Sequence, residues 1–268
     1  MSNETFTRIH DVPPGHVGWR VSRDYILSPE ELPNIERLVI EDGQPVDNIF
    51  AEKQYRLLTE SLYSSWTPPS GPFLALANVG LFFSDREEGL APDAMLSLGV
   101  PTGRDLMLKE NRSYFIWVVG KPPDVVIEIV SDLRGGEETD KMIAYARIGI
   151  TYYVIFDPLD RLHHGLLRAY YLSKGKYEPM EASWLETVGL GLTFWEGEFE
   201  GEHARWLRWC DQDGVVIPTG RERAEQEKKS AEQEKQRAEQ EKQRAEQEKQ
   251  RAERLAAQLR ALGVEPGA

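Results

Sequence analysis

PPDVVIEIVSD, residues 122–132, is an apolar run opened by two prolines and closed by Ser131 and Asp132, yet Glu128 stands in its middle. Its density of β-branched residues predicts a strand covered on both faces. An unpaired carboxylate buried in such a strand is strongly unfavourable, so Glu128 must be protonated, paired, or bound to a cation. Alternation along a strand puts Asp124, Val126 and Glu128 on one face and Val125, Ile127 and Ile129 on the other.

The flanking segments extend this reading. ETDKMIAYARIGI, residues 138–150, predicts a helix capped by Thr139 or Asp140 and stopped at Gly149. TYYVIFDP, residues 151–158, predicts a second core strand, parallel to the first and reached through that helix. Upstream, residues 47–66 carry apolar positions at helical spacing behind a cap at Asp47 or Asn48. FLALANVGLFF (73–83), APDAMLSLGV (91–100) and SYFIWVVG (113–120) predict strands. Glu36 to Ile40 reads as a strand ending in the turn Glu41-Asp42-Gly43, and Pro13-Pro14-Gly15 as a further turn. LLRAYYLSKGKYEPM (166–180) and the Asp211-Gln212-Asp213-Gly214 turn predict peripheral hairpins. The expectation is one α/β domain over 1–218, with a mixed central sheet flanked by helices.

A different pattern begins near Arg221. The heptads RAEQEKK SAEQEKQ RAEQEKQ RAEQEKQ RAERLAA predict a long charged helix, so 219–268 is expected to be a helical tail. Each heptad offers one apolar residue, Ala224, Ala231, Ala238, Ala245 or Ala252, where a coiled-coil seam needs two larger ones. A solvated spacer is the first expectation, supported by pairs such as Glu225 with Lys229 and Arg237 with Glu241. Weak self-association through Ala252, Leu255, Leu259 and Leu262 is the second.

Composition narrows the functions. No apolar run approaches the roughly 18 to 20 residues of a membrane span, and MSNETFTRIH lacks a signal-peptide core, so the expected location is cytoplasmic with no membrane partner. The single cysteine, Cys210, excludes a disulfide framework and a cysteine-based zinc site. Residues 1–220 hold 20 Lys and Arg against 34 Asp and Glu, a balance of −14, whereas the last 48 hold 12 against 11. That charge disfavours unspecific coating of nucleic acid but leaves room for a locally basic groove. G-x-S-x-G, P-loop and G-x-G-x-x-G motifs do not occur. Gly135-Gly136 reads as loop freedom before the helix. His163-His164 reads as a solvated pair in a turn, and His203, near Trp206 and Trp209, as part of a surface segment.

The acids carry the chemistry. If the strand holding Asp93 neighbours the one holding Glu128, the two carboxylates converge and need a proton or a divalent cation between them, for which Mg²⁺ is the natural choice. Lys141 lies in the first turn of its helix, where the dipole disfavours a cation; either Glu137, Glu138 and Asp140 compensate it, or it is aimed at Glu128.

PDAMLSL, PPDVVIEIVSD, the lysine of ETDKMIAYARIGI and YYVIFDP together resemble the Uma-two family of restriction endonucleases, a branch of the PD-(D/E)xK nuclease superfamily. The likeness spans roughly Glu36 to Asp157 and is most specific between Asp124 and Pro158. It implies a restriction-endonuclease-like core, Asp93 and Glu128 as ligands of Mg²⁺ (or Mn²⁺), Lys141 as the catalytic lysine, DNA as substrate, and a homo-oligomer, typically a dimer. The superfamily consensus places lysine two residues after the acid, where this chain has Val130, so Lys141 substitutes from the helix. Asp124, which also follows a proline, and Glu52 or Glu60 of the first helix are further acids to be located. The contrasting expectation is a binding or scaffold protein that keeps the nuclease fold without its activity and assembles through its C-terminal helix.

Overall fold

The computed structural model describes residues 48–69, 71–131 and 136–261. The strand and turns expected before residue 47, the Asp47 cap, Asp132, Gly135 and Leu262 lie outside them. Two compact units divide the chain, residues 1–219 and 220–268.

The first unit opens with α1 (Ile49–Ser65). Asn48 caps it, accepting from the Ala51 amide at 3.0 Å, and so satisfies one of the orphan donors of the first turn. Next come β1 (Phe73–Ala77), β2 (Leu81–Phe82), β3 (Ala94–Leu98), β4 (Tyr114–Phe115), α2 (Ile116–Val119) and β5 (Val125–Ile129). The helix α3 (Asp140–Ile148) follows, then β6 (Tyr152–Phe156), β7 (Leu167–Ser173), β8 (Lys176–Pro179), β9 (Trp184–Leu185), β10 (Leu190–Phe199) and β11 (Glu202–Cys210).

Six strands form the central sheet in the order β1-β3-β5-β6-β7-β8. The β5 and β6 strands are parallel, with Glu128 opposite Ile155, and α3 is their crossover. All other neighbours are antiparallel, so this is a mixed α/β sheet. All five residues of β5 and all five of β6 are buried, as a strand covered on both faces requires.

The two faces divide as the alternation of β5 predicts. Val125, Ile127 and Ile129 pack with Ala51, Tyr55, Leu58 and Leu62 of α1 and with Leu190, Leu207 and Trp209 of a second, three-stranded sheet ordered β11-β10-β9. Val126 and Val130 pack on the other face with Tyr145 and Ile148 of α3 and with Tyr153 and Ile155. A side-chain clamp fastens α1 to β11: Gln54 Nε2 donates to the Leu207 carbonyl at 2.8 Å, and the Leu207 amide donates to Gln54 Oε1 at 2.9 Å. Gln54→Ala strands both backbone groups in the core, and a loss of about 2–4 kcal/mol is expected in urea unfolding.

Three expectations are corrected. SYFIWVVG is a two-residue strand followed by one helical turn, closed at Gly120 with φ 96°. Its apolar residues other than the half-buried Val118 are buried without alternation, a pattern that does not separate a strand from a buried turn. FLALANVGLFF breaks at Asn78, whose φ of 50° ends β1 before β2. The 166–180 hairpin is not peripheral: β7 pairs with β6 and extends the central sheet. The β10–β11 hairpin was not anticipated at all. It pairs Gly191 to Phe199 with Glu202 to Cys210, burying Trp206 and Trp209 while His203 stays exposed.

The second unit is α4 (Gly220–Ala261), 42 residues with none buried. At 1.5 Å per residue it is about 63 Å long. Arg221 pairs with Glu225 at 3.0 Å and Arg223 with Glu227 at 3.6 Å, the expected i,i+4 spacing. Leu255 and Leu259 are exposed. Among the described residues no helix is long and apolar enough to cross a membrane.

Candidate active site

The β3–β5 pairing sets Ala94 against Ile127, so one residue further along Asp93 comes opposite Glu128. Asp93 is 8% exposed, and its Oδ2 accepts from the Ile129 amide at 2.6 Å. That bond ties the carboxylate, one residue before β3 begins, to the last residue of β5.

Glu128 is 1% exposed. Two residues of α3 meet it: Lys141 Nζ donates to Oε2 at 2.8 Å, and the Tyr145 hydroxyl donates to Oε1 at 2.5 Å. Residues four apart on a helix share a face, which is why one helix delivers both groups to one carboxylate. The helix starts at Asp140 and stops at Gly149, whose φ of 90° is the left-handed cap that side chains disfavour. Placed between these ends, Lys141 stands in the first turn and Tyr145 one turn below it.

Glu137 completes the group. It is buried, its Oε1 lies 3.6 Å from Lys141 Nζ, and its backbone carbonyl accepts from the Tyr153 hydroxyl at 2.8 Å. One ammonium thus faces Glu128 and Glu137 and lies in the field of Asp93. Burial pushes the Glu128 carboxyl above the ordinary carboxylate value, against the opposing pull of Lys141 and Tyr145. Burial works against the Lys141 charge, but Glu128, Glu137 and Asp93 outweigh it and leave the ammonium harder to deprotonate than usual. Burial and the neighbouring Glu128 hold the Tyr145 phenol well above its ordinary value, so it serves as a hydrogen-bond donor. Tyr145→Phe leaves Glu128 Oε1 without that donor; a loss of about 1–2 kcal/mol is expected in thermal or urea unfolding.

The other acids lie elsewhere. Asp124 is at the opposite end of β5, where Oδ2 accepts from the Leu98 amide at 2.7 Å and from Lys121 Nζ at 2.5 Å, closing the β3–β5 pair. Glu52 and Glu60 belong to α1, which packs on the face of the sheet away from α3. Glu52 pairs with Arg56, and Glu60 accepts from the Ser64 hydroxyl. His164 is not simply solvated: its Nδ1 lies 2.9 Å from Glu138, which also pairs with Arg168.

Sequence reasoning named Asp93, Glu128 and Lys141 but passed over Tyr145 and treated Glu137 only as compensation for a misplaced lysine. The i,i+4 step from Lys141 to Tyr145 was the available signal for the first. Nothing in the sequence marked Glu137 as buried.

Among the described residues no three His, Cys, Asp or Glu side chains cluster tightly enough to hold a metal by themselves. The Asp93 and Glu128 pair offers two hard oxygen donors, a set that suits a cation keeping much of its water shell. No curated protein matches the chain. Residues 30–195 match the Uma2 family, described as putative restriction endonuclease. With its mixed six-stranded α/β sheet and this match over more than half its length, the chain belongs to the Uma2 family and so to the restriction endonuclease-like superfamily.

Proposed function

We propose that the protein is a Mg²⁺-dependent DNA endonuclease that hydrolyses phosphodiester bonds, with Asp93 and Glu128 as metal ligands and Lys141 as the catalytic lysine. The observation that carries this reading is the 2.8 Å ion pair between Lys141 and a Glu128 buried in the central strand, beside Asp93. Apolar residues of similar volume are often as stable in such a position, so the ion pair adds little to stability and points instead to chemistry. Family membership supports nuclease activity and a DNA substrate.

The donor chemistry favours Mg²⁺, with Mn²⁺ as a replacement: two carboxylates leave positions for water and phosphate oxygens, whereas structural zinc takes nitrogen and sulfur donors and calcium takes six to eight oxygens. When bound, the ion would lower the pKa of a coordinated water and polarise the scissile phosphate. Tyr145 and the Ile129 amide hold the two carboxylates in place. Lys141, paired with Glu128 at 2.8 Å, stabilises negative charge growing on the phosphate. Cutting both strands would call on two copies, with α4 either spacing or joining them.

The second reading is a nuclease-fold scaffold without activity. It is favoured by the acidic body and by both Glu128 oxygens already having donors. Supercoiled plasmid incubated with the purified protein in Mg²⁺, Mn²⁺ or EDTA separates the two. Metal-dependent nicking carries the first; no nicking together with no heat of Mn²⁺ binding moves the weight to the second.

A further inference from the structure

We propose that Glu137 is a positioning residue that provides a second seat for the Lys141 ammonium, onto which the lysine shifts when a divalent cation takes Glu128 Oε2. This rests on the metal-site reading above and deepens it.

The difficulty it resolves is geometric. Lys141 occupies, at 2.8 Å, one of the two Glu128 oxygens, and Tyr145 occupies the other. A cation approaching Glu128 must displace a donor. The tyrosine comes from the buried middle of α3 and is nearly inaccessible, whereas the Lys141 side chain is 29% exposed and ends in rotatable bonds. The lysine is therefore the donor that yields. Breaking a mostly buried ion pair without replacing the partner is costly, so the ammonium needs another carboxylate within reach.

Glu137 has that position. Its Oε1 is 3.6 Å from Nζ, so closing by less than 1 Å makes a charge-assisted hydrogen bond. It is buried and held at its backbone by Tyr153, so the seat is ready without rearrangement of the sheet. It lies four residues before Lys141, and the transfer stays within one side chain's rotamers. The movement also leaves the charge of Lys141 inside the site, where phosphate chemistry would use it.

The first test needs no metal. In a crystal structure of metal-free Glu128→Gln the ammonium has lost its stronger carboxylate, and Lys141 Nζ is expected within about 3 Å of a Glu137 oxygen. An ammonium that stays on position 128 or turns to solvent overturns the proposal. The second test is calorimetric titration with Mn²⁺ of wild type, Glu137→Gln and Glu137→Asp. Glu137→Gln is expected to weaken binding about tenfold or more, and Glu137→Asp, which keeps the charge but shortens the reach, to recover only part of that. Full recovery in Glu137→Asp identifies a general field effect and overturns the second seat. If the wild type binds no Mn²⁺, the metal-site reading fails and the cation-driven shift with it, while the Glu128→Gln structure still decides whether Glu137 seats the ammonium.

Discussion

Glu128→Ala and Glu128→Gln are expected to remove metal-dependent DNA nicking, by about 10²- to 10³-fold or more, while leaving the protein folded. The carboxylate joins the central strand to α3 through Lys141 and Tyr145, and register sets it opposite Asp93. Its loss takes away the proposed metal donor and the main partner of Lys141 together. Stability responds less, because removing a buried charge also relieves its desolvation, and Lys141 retains Glu137. The glutamine variant keeps an oxygen for the Tyr145 hydroxyl; alanine strands that donor and is expected to cost about 1–3 kcal/mol more. Plasmid nicking assayed beside thermal unfolding checks both parts. An unaltered nicking rate in a well-folded Glu128→Gln would remove Glu128 from the site.

Lys141→Ala is expected to abolish nicking and also to make stability depend on pH. Burial already raises the Glu128 carboxyl above its ordinary value of 4.5, and Lys141 is the strongest influence opposing that rise. Without the lysine the folded value climbs further. A carboxyl whose folded pKa lies above its unfolded one holds a proton in the native state that the unfolded chain releases. Its stabilising contribution is fully present below pH 4.5 and is lost as pH rises through the folded value. Relative to wild type, Lys141→Ala is therefore expected to lose about 2–4 kcal/mol at pH 8 and about 1 kcal/mol or less near pH 5. Thermal or urea unfolding of both proteins across pH 5 to 8 measures it. A difference that does not change with pH would show that Glu128 is already neutral in the wild type. Loss of nicking without loss of Mn²⁺ binding would separate the role of Lys141 from that of the ligands.

The amino-acid sequence alone determined the parts of this protein governed by local pattern. The β-branched residues on both sides of Glu128 specified a doubly covered strand, the Thr139-to-Gly149 segment its crossover helix, and TYYVIFDP the parallel partner. The Ala-spaced charged heptads specified α4, because helix propensity and i,i+4 charges act within one segment. A buried acid on the middle strand and a cation in a helix's first turn were anomalies visible before any fold. Periodicity was silent where side chains are buried without alternation, so SYFIWVVG was read as a strand; the β10–β11 hairpin, whose exposure does alternate from Thr193 to Phe199, was missed all the same.

Only the tertiary structure decided which acids share an end of the sheet. Asp93 and Asp124 look alike in sequence, each following a proline, but antiparallel register sets Asp93 at the Glu128 end of the sheet and Asp124 at the other. Glu52 and Glu60 were separated from the site by the sheet itself. Tyr145 acquired its place from the packing of α3 against β5, a contact between residues seventeen apart in the chain, and Glu137 its place beside Lys141 with its backbone held by Tyr153 of β6. Local propensity acts over a few neighbours, whereas the pairing of charges depends on register and packing that the whole fold sets.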